Sequence, residues 1–535
     1  MRRRPASFAP PRIRRQAEAL LVAASALVGG CHGGDARPAA HSPVIMDGIV
    51  RVATAFEIPD FHPYSQFGSG AAQYAYDPLV HVTSGGEVVP GLATSWRAAS
   101  RSADFTLRRG VTCSDGTVLK ASDVARSLTH AADPRNRFAG ARSTLPSVPF
   151  TVTADDKAGT VSVRMSSPYS FVVRSVGMLP VVCPAGLEDP RSLARSTSGT
   201  GPYVLSSYRS GGPYVFVRRK GYAWGPGGAR TGVRGQPQRI VLSVVSQEST
   251  AANLLLTGGV NLARLTGPDR ARLVGHGLTT ADVPAVVGLT FFNQRRGRPL
   301  SDPAVRRALV AALDRQGLAN VAVGGSGRPA ADLTAADAVC HGDLAAAHLP
   351  SGGALRTLRE AGWTKGADGA LVKDGRPLRL RVISSPDLGS TLPSVGELMA
   401  ATWEGLGVRV DLVSESLNAL VSALYRDGNF DVVVGTSPGP SLPAGLIPYL
   451  SGPPPARGLN FAHVTNPAYD RLVAQALRES EEASCPTWKR ATAEVFRAAD
   501  ALPVADGAST VYGYRTTFST GSGGEVVPTS IRLHR

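Results

Sequence analysis

"PLRLRVISSPD" (residues 377–387) follows an Asp374-Gly375 turn, and its Leu378, Leu380 and Val382 alternate with arginines as one face of a strand does. Residues 393–404 then form a helix-like run, and "GVRVDLV" (407–413) alternates again through Val408, Val410 and Leu412. "SLNALVSALYRDG" (416–428) reads as a second helix stopped by Gly428, and "FDVVVG" (430–435) as a short buried strand. Strand, helix, strand, helix, strand predicts a parallel sheet and places the chain in the α/β class.

In open α/β sheets, ligands bind beyond the carboxyl ends of the strands. Two loops occupy such ends, "SSPD" (384–387) and "GTSPGPS" (435–441), which makes Ser384, Ser385, Asp387, Thr436, Ser437 and Ser441 candidate ligand contacts. The second loop also spells G-x-S-x-G, the signature of a hydrolase nucleophile elbow, with Ser437 as the nucleophile. An elbow needs a helix directly after the serine. Here Pro438, Pro440 and Pro443 follow, each lacking an N–H and disfavouring helical geometry in the residue before it. Triad partners would have to come from Asp470, Asp500 or Asp506 together with His534, on a terminal tail expected to be mobile. An exported serine hydrolase using Ser437 is therefore the alternative reading, not the leading one.

Upstream, "SDPAVRRALVAALDRQG" (301–317) is a capped helix with Pro303 in its first turn and Val305, Ala308, Leu309 and Ala312 on one face. A chain of 535 residues exceeds a single core, so two or three domains are expected. The formal charge is +16, but the first 30 residues hold six arginines against Glu18, and +5 of the excess belongs to that segment. The basic clusters at 218–220 and 295–298 are short and lack interleaved aromatics, so no nucleic-acid partner is expected. His341 and His348 lie seven apart without a third ligand nearby and read as solvated; no metal or cofactor is implied.

Arginines 2–4, 12, 14 and 15 precede a short apolar run (19–28) ending in "LVGGC" (27–31), the pattern of an export signal with a lipobox-like end. Cys31 would then carry the lipid, residues 32–45 would form a flexible tether, and the protein would sit on the outer face of the cytoplasmic membrane. Outside the cytoplasm the remaining cysteines, Cys113, Cys183, Cys340 and Cys485, allow three pairings. Pairing within each half, Cys113 with Cys183 and Cys340 with Cys485, is the expectation.

"YDPLVHVTSGGEVVPGLATSW" (76–96), "FTLRRGVTCSDGTVLKASDV" (105–124), "GTGPY" (199–203), "FNQRRGRPLSDPAVRRALVAALDR" (292–315) and "NFAHVTNPAYDRLVAQAL" (460–477) resemble, in order and spacing, the extracytoplasmic solute-binding proteins of family 5, the oligopeptide-, dipeptide- and nickel-binding receptors of ABC importers. Two departures stand out: Ala223 separates a normally adjacent Tyr-Trp pair, and Asn261 replaces a frequent Asp. The resemblance implies a two-lobe periplasmic-binding-protein-like fold of the large, three-subdomain form (type II), with the ligand cleft between lobes. The implied boundaries are 1–30 signal peptide, 31–48 tether, 49–288 lobe I with roughly 75–195 inserted, 289–500 lobe II, and 501–535 the return and tail. Strands near 289–293 and 502–506 would be the crossover, with Asn293 a candidate contact.

It further implies a monomeric receptor, not an enzyme, that closes on an oligopeptide or similarly sized polar solute and docks on an ABC permease with its ATPase. A sensor or chaperone without a dedicated importer is a further alternative. Phe61, Tyr64 and Phe67 in the early cleft loop (58–70) are candidates to stack on ligand. Relatives that bind peptides commonly place an Asp near the 435–441 loop for the ligand ammonium, yet residues 432–469 contain no acid. Either another acid such as Asp387 serves, or the ligand is not a zwitterionic short peptide.

Overall fold

The alternation between 377 and 435 becomes three strands, Arg379–Ser384, Arg409–Ser414 and Val432–Val434. The first pairs in parallel with both others, Val382 lying opposite Leu412 on one side and Val432 on the other. The connecting helices are Leu392–Leu406, ended by left-handed Gly407, and Leu417–Ser422, which continues as a π-helical turn, Ala423–Asp427, to left-handed Gly428. Glycine suits both ends because the left-handed position penalises a Cβ. Val432 and Val434 face one core with Val382 and Trp403, while Val433 and Ile383 face another that runs on into the first lobe. A strand covered on both faces has no place for a polar residue, hence the unbroken apolar run. This computed structural model describes residues 43–535 apart from 66–68, 137, 147, 326, 344–352 and 436–441.

Two antiparallel strands, Thr290–Phe292 and Ala501–Leu502, complete a five-stranded sheet. Both belong to crossings from an eight-stranded sheet, where Thr279–Val287 and Ala505–Gly513 pair with Val287 opposite Ala505. The chain thus passes between the sheets twice, side by side, at 288–289 and at 503–504. Gly288 has φ 76°, and a Cβ there would stand 3.0 Å from Val504 Cβ, so glycine lets the crossings touch.

The eight-stranded sheet centres on Ile49–Thr54, which pairs in parallel with Arg239–Val244 and Leu262–Leu265. Between Thr54 and Arg239 lies a separate four-stranded antiparallel sheet, Ala93–Ala99, Ser102–Leu107, Thr160–Met165 and Phe150–Asp155. Helix Ala121–Ala132 backs it, burying Val124, Leu128 and Ala131, and Asp123 Oδ2 accepts the Lys120 N–H at 3.0 Å to close its first turn.

In each lobe a buried carboxylate gathers several donors. In the first, Asp77 accepts from Thr200 Oγ1 at 2.8 Å, Tyr222 OH at 2.7 Å and Trp224 Nε1 at 3.1 Å. Inserting Ala223 between Tyr222 and Trp224 therefore leaves both side chains on the same acceptor. In the second, Asp500 accepts from Gln294 Nε2 at 2.8 Å, Arg306 Nη2 at 2.9 Å and Asn466 Nδ2 at 2.7 Å. The other departure has a local reason too: Asn261 Oδ1 accepts the Arg51 N–H at 2.9 Å while its Nδ2 donates to Tyr514 O at 3.4 Å, which an aspartate would not do.

Both expected disulfides form, Cys113–Cys183 across 70 residues and Cys340–Cys485 across 145. The inserted segment also reaches the second lobe. Phe171 packs on Trp488 with ring centroids 5.9 Å apart, Ser170 Oγ donates to Ala476 O at 2.6 Å, and Arg174 pairs with Glu481 at 2.6 Å. The carboxyl terminus is pinned, against the expectation of a mobile tail: the His534 N–H donates to Arg515 O at 2.8 Å and its Nε2 lies 3.0 Å from Thr517 Oγ1. Among the described residues no helix is long and apolar enough to cross a membrane.

Candidate functional site

A cavity of about 2050 Å³ lies between the two lobes. Its first-lobe wall starts where Ile49–Thr54 and Arg239–Val244 end, at residues 55–57 and 245–249, and includes the hairpin at 522–526. Its second-lobe wall starts where Arg379–Ser384 and Arg409–Ser414 end, at 386–390 and 416–418. Parallel strands from both sheets thus point their carboxyl ends into one space, the arrangement in which loops of open α/β sheets gather around a ligand.

The sequence-derived candidates fall in three groups. Asp387 lines the cavity, exposed, with Oδ2 accepting the Leu417 N–H at 2.8 Å. Tyr64 also borders it, but its ring is buried and its hydroxyl is spent on Ser127 Oγ and Pro180 O, both at 2.7 Å.

Phe61, Asn293, Ser384 and Ser385 are buried away from that wall. Phe61 packs edge-on against Tyr208, Tyr214 and Phe216. Asn293 Nδ2 donates to Phe430 O at 2.8 Å and fixes the crossing strand to its neighbour. Ser385 Oγ accepts the Asp387 N–H at 3.3 Å, and so positions Asp387 instead of facing the cavity itself. Phe67, Thr436, Ser437 and Ser441, as well as Cys31 and His348, lie outside the described residues.

Several wall residues escaped the sequence reading. Phe56 and Glu57 stand immediately before the loop that was singled out, and Arg264 sits three residues after Asn261. Glu248, Val421, Tyr425 and Tyr449 belong to helices or their starts, where only the folded chain shows which face meets the cavity. Burial pushes Asp77 up to about 6, the three donors and Arg219 pulling the other way, and burial holds His81 down to about 4. Glu525 is also pushed up by burial, against the pull of Arg264, which donates to Gly524 O beside it. A second cavity of about 270 Å³ lies at the Asp500 cluster and shares no wall residue with the first. Among the described residues no three or more His, Cys, Asp and Glu gather as for a metal ion.

Residues 87–454 match the family described as bacterial extracellular solute-binding proteins, family 5 Middle. Protein XP55 of Streptomyces lividans is 28% identical over 468 residues, 81% of this chain and 78% of that protein. The periplasmic murein peptide-binding protein MppA of Escherichia coli K12 is 24% identical over 434 residues, 76% of this chain and 77% of MppA. The crystal structure of a substrate-binding protein from Microbacterium hydrocarbonoxydans, complexed with 4-hydroxybenzoate hydrazide, matches with a TM-score of 0.73 at 25% identity, covering 91% of this chain and 100% of that one. With the family match spanning more than half of the sequence, on a two-lobe α/β frame with an interlobe cavity, the chain belongs to the bacterial extracellular solute-binding proteins of family 5, extracytoplasmic receptors that bind a solute and catalyse no reaction on it.

Proposed function

We propose that this protein is the lipid-anchored receptor of an ABC importer, capturing an oligopeptide or similarly sized polar solute and handing it to the permease. The observation that carries this reading is the interlobe cavity of about 2050 Å³, larger than the roughly 300–1,000 Å³ of sites for drug-sized molecules. MppA, named for binding a murein peptide, supports a ligand of several residues. The basic, then apolar, then small-residue pattern ending at Cys31 supports the anchor. A ligand touching both walls stabilises the closed arrangement by its differential affinity for it, and the permease reads that arrangement.

Equilibrium dialysis of the mature protein against peptide and metabolite pools, with small-angle scattering of the same samples, tests the receptor role. Retention of a pool member with a fall in the radius of gyration is expected; no retention and no compaction across broad pools refutes it. Mass spectrometry of the membrane-bound form tests the anchor, which requires a lipid-modified Cys31 at the new amino terminus.

A further inference from the structure

The chain is strongly basic, yet the cavity walls are not. Glu57 Oε1 accepts from Ser210 Oγ at 3.0 Å and the Gly211 N–H at 2.7 Å. Glu248 accepts the Thr266 and Gly267 N–H groups at 2.8 and 2.7 Å, and Asp387 accepts the Leu417 N–H at 2.8 Å. Every one of these donors is neutral, and among the described residues none of the three carboxylates has an ion-pair partner. Neutral donors orient a carboxylate but leave its net charge in place.

The opposing charge is already committed. Arg264, the arginine on the described walls, donates to Gly524 O and faces Glu525. His81, which borders the cavity, is kept neutral near pH 7 by burial, and its buried Nε2 has no hydrogen-bond partner among the described residues. On the second-lobe wall Asp387 is the charged residue among those described.

Beside the acids each lobe exposes one large apolar side chain. Phe56, next to Glu57, is 49% exposed, and Val421, in the helix whose first N–H holds Asp387, is 41% exposed; both line the cavity. The lobes come close where Glu248 lies: a Cβ on Gly267 would stand 2.6 Å from Glu248 Oε2 and 3.2 Å from Ser390 Oγ of the opposite wall.

We propose that the solute is a cation with an apolar portion, its positive group set among Glu57, Glu248 and Asp387 and its apolar group held between Phe56 and Val421. This rests on the receptor reading and narrows it. Uncompensated carboxylates on both walls repel one another when the cavity is empty of cations, so a cation adds attraction to each lobe and removes the repulsion between them. Of the two routes left open by the acid-free segment 432–469, Asp387 then serves as the counter-charge for an ammonium group.

Titration calorimetry of the mature protein with Lys-Phe-Lys, Gln-Phe-Gln and Glu-Phe-Glu, and with 4-phenylbutylamine as a cation that is not a peptide, tests this. Lys-Phe-Lys should bind at least tenfold more tightly than Gln-Phe-Gln, Glu-Phe-Glu should not bind, and the preference should shrink with added salt. Asp387→Asn and Glu57→Gln, which keep the same acceptor atoms for their N–H donors, should each weaken Lys-Phe-Lys several-fold and by more than they weaken Gln-Phe-Gln, whose one ammonium is at its amino terminus. Binding of the amine alone assigns the same chemistry to a non-peptide solute. Equal or tighter binding of Gln-Phe-Gln or Glu-Phe-Glu, or an unchanged preference in both variants, overturns the charge assignment and leaves the receptor role standing. Absence of binding by all four probes and by the broad pools overturns both.

Discussion

Replacing Asp500 with alanine would strip the second lobe of the carboxylate on which three of its motif residues converge. The Asp500 and Arg306 side chains are 1% and 5% exposed, so each charge is largely desolvated and depends on the other. Without Asp500, Arg306 would keep its bonds to Ala499 O at 3.1 Å and Leu300 O at 2.9 Å, both to neutral carbonyls, while Gln294 and Asn466 would lose their acceptor. Leaving a buried charge unpaired costs about 3–5 kcal/mol. For a lobe of this size that is a fall in Tm of roughly 6–20 °C. Urea titration followed by tryptophan fluorescence is suited to it, since Trp403 and Trp488 are both fully buried. Replacing both partners by apolar residues, Asp500→Leu with Arg306→Met, should recover part of the loss, because the unpaired Arg306 charge disappears while Gln294 and Asn466 stay without their acceptor. A single variant that loses less than about 1 kcal/mol, or a double variant as unstable as the sum of the singles, would show that the cluster is not held as an ion pair.

Cys340→Ser with Cys485→Ser should cost up to about 5 kcal/mol and Cys113→Ser with Cys183→Ser slightly less, because loop-closure entropy grows with the 145 and 70 residues enclosed. Urea midpoints in the reverse order would remove loop entropy as the explanation. Two buried groups should tilt stability with pH in opposite senses. Asp77 is pushed from 3.8 up to about 6, so it favours the folded state at low pH by about 3 kcal/mol, a contribution fully present below 3.8 and lost as pH rises through 6. His62, held down to about 4 by burial and by His130, contributes fully above its unfolded value of 6.5 and loses about 3 kcal/mol as pH falls toward 4. Midpoints measured at pH 4.5 and 7 should therefore move toward greater relative stability at pH 7 in Asp77→Asn and toward greater relative stability at pH 4.5 in His62→Gln; no change in either slope would refute the assignment.

The parallel sheet of the second lobe was legible because two strand signatures are written in it: alternation on the first strand, where Leu378, Leu380 and Val382 are all buried and the arginines between them are not, and an unbroken buried run at Val432–Val434. On the strand between, the alternation does not track burial, since Leu412 is 39% exposed. The strand-end rule likewise led to Asp387, which does line the cavity. The same logic failed for Ser384 and Ser385, because their strand runs on into the core before it turns and the loop opens only at Pro386. Phe61 and Tyr64 illustrate a different limit. An aromatic near a cleft loop has two uses of equal appearance in sequence, and here Tyr214 and Phe216, some 150 residues away, supply the packing partners for Phe61. Glu57 and Glu248 carried no signal, since what distinguishes them is the neutrality of donors at Gly211 and Gly267.

The recognisable blocks and the cavity wall are largely different residues, and that division explains what a resemblance can deliver. Asp77 and Thr200 come from separate blocks and meet Tyr222 and Trp224 on one carboxylate; in the other lobe Gln294 and Arg306 from one block and Asn466 from another meet on Asp500. A buried charge fed by three donors tolerates few replacements, because any loss leaves a desolvated group unpaired. Such positions specify the frame, so the frame is what the blocks reveal. Phe56, Glu57, Glu248 and Val421 face an aqueous cavity, where a substitution changes which solute fits without unpairing anything inside. Solute chemistry is therefore carried at strand ends just outside the blocks, and it is there that a cationic preference is written in this chain.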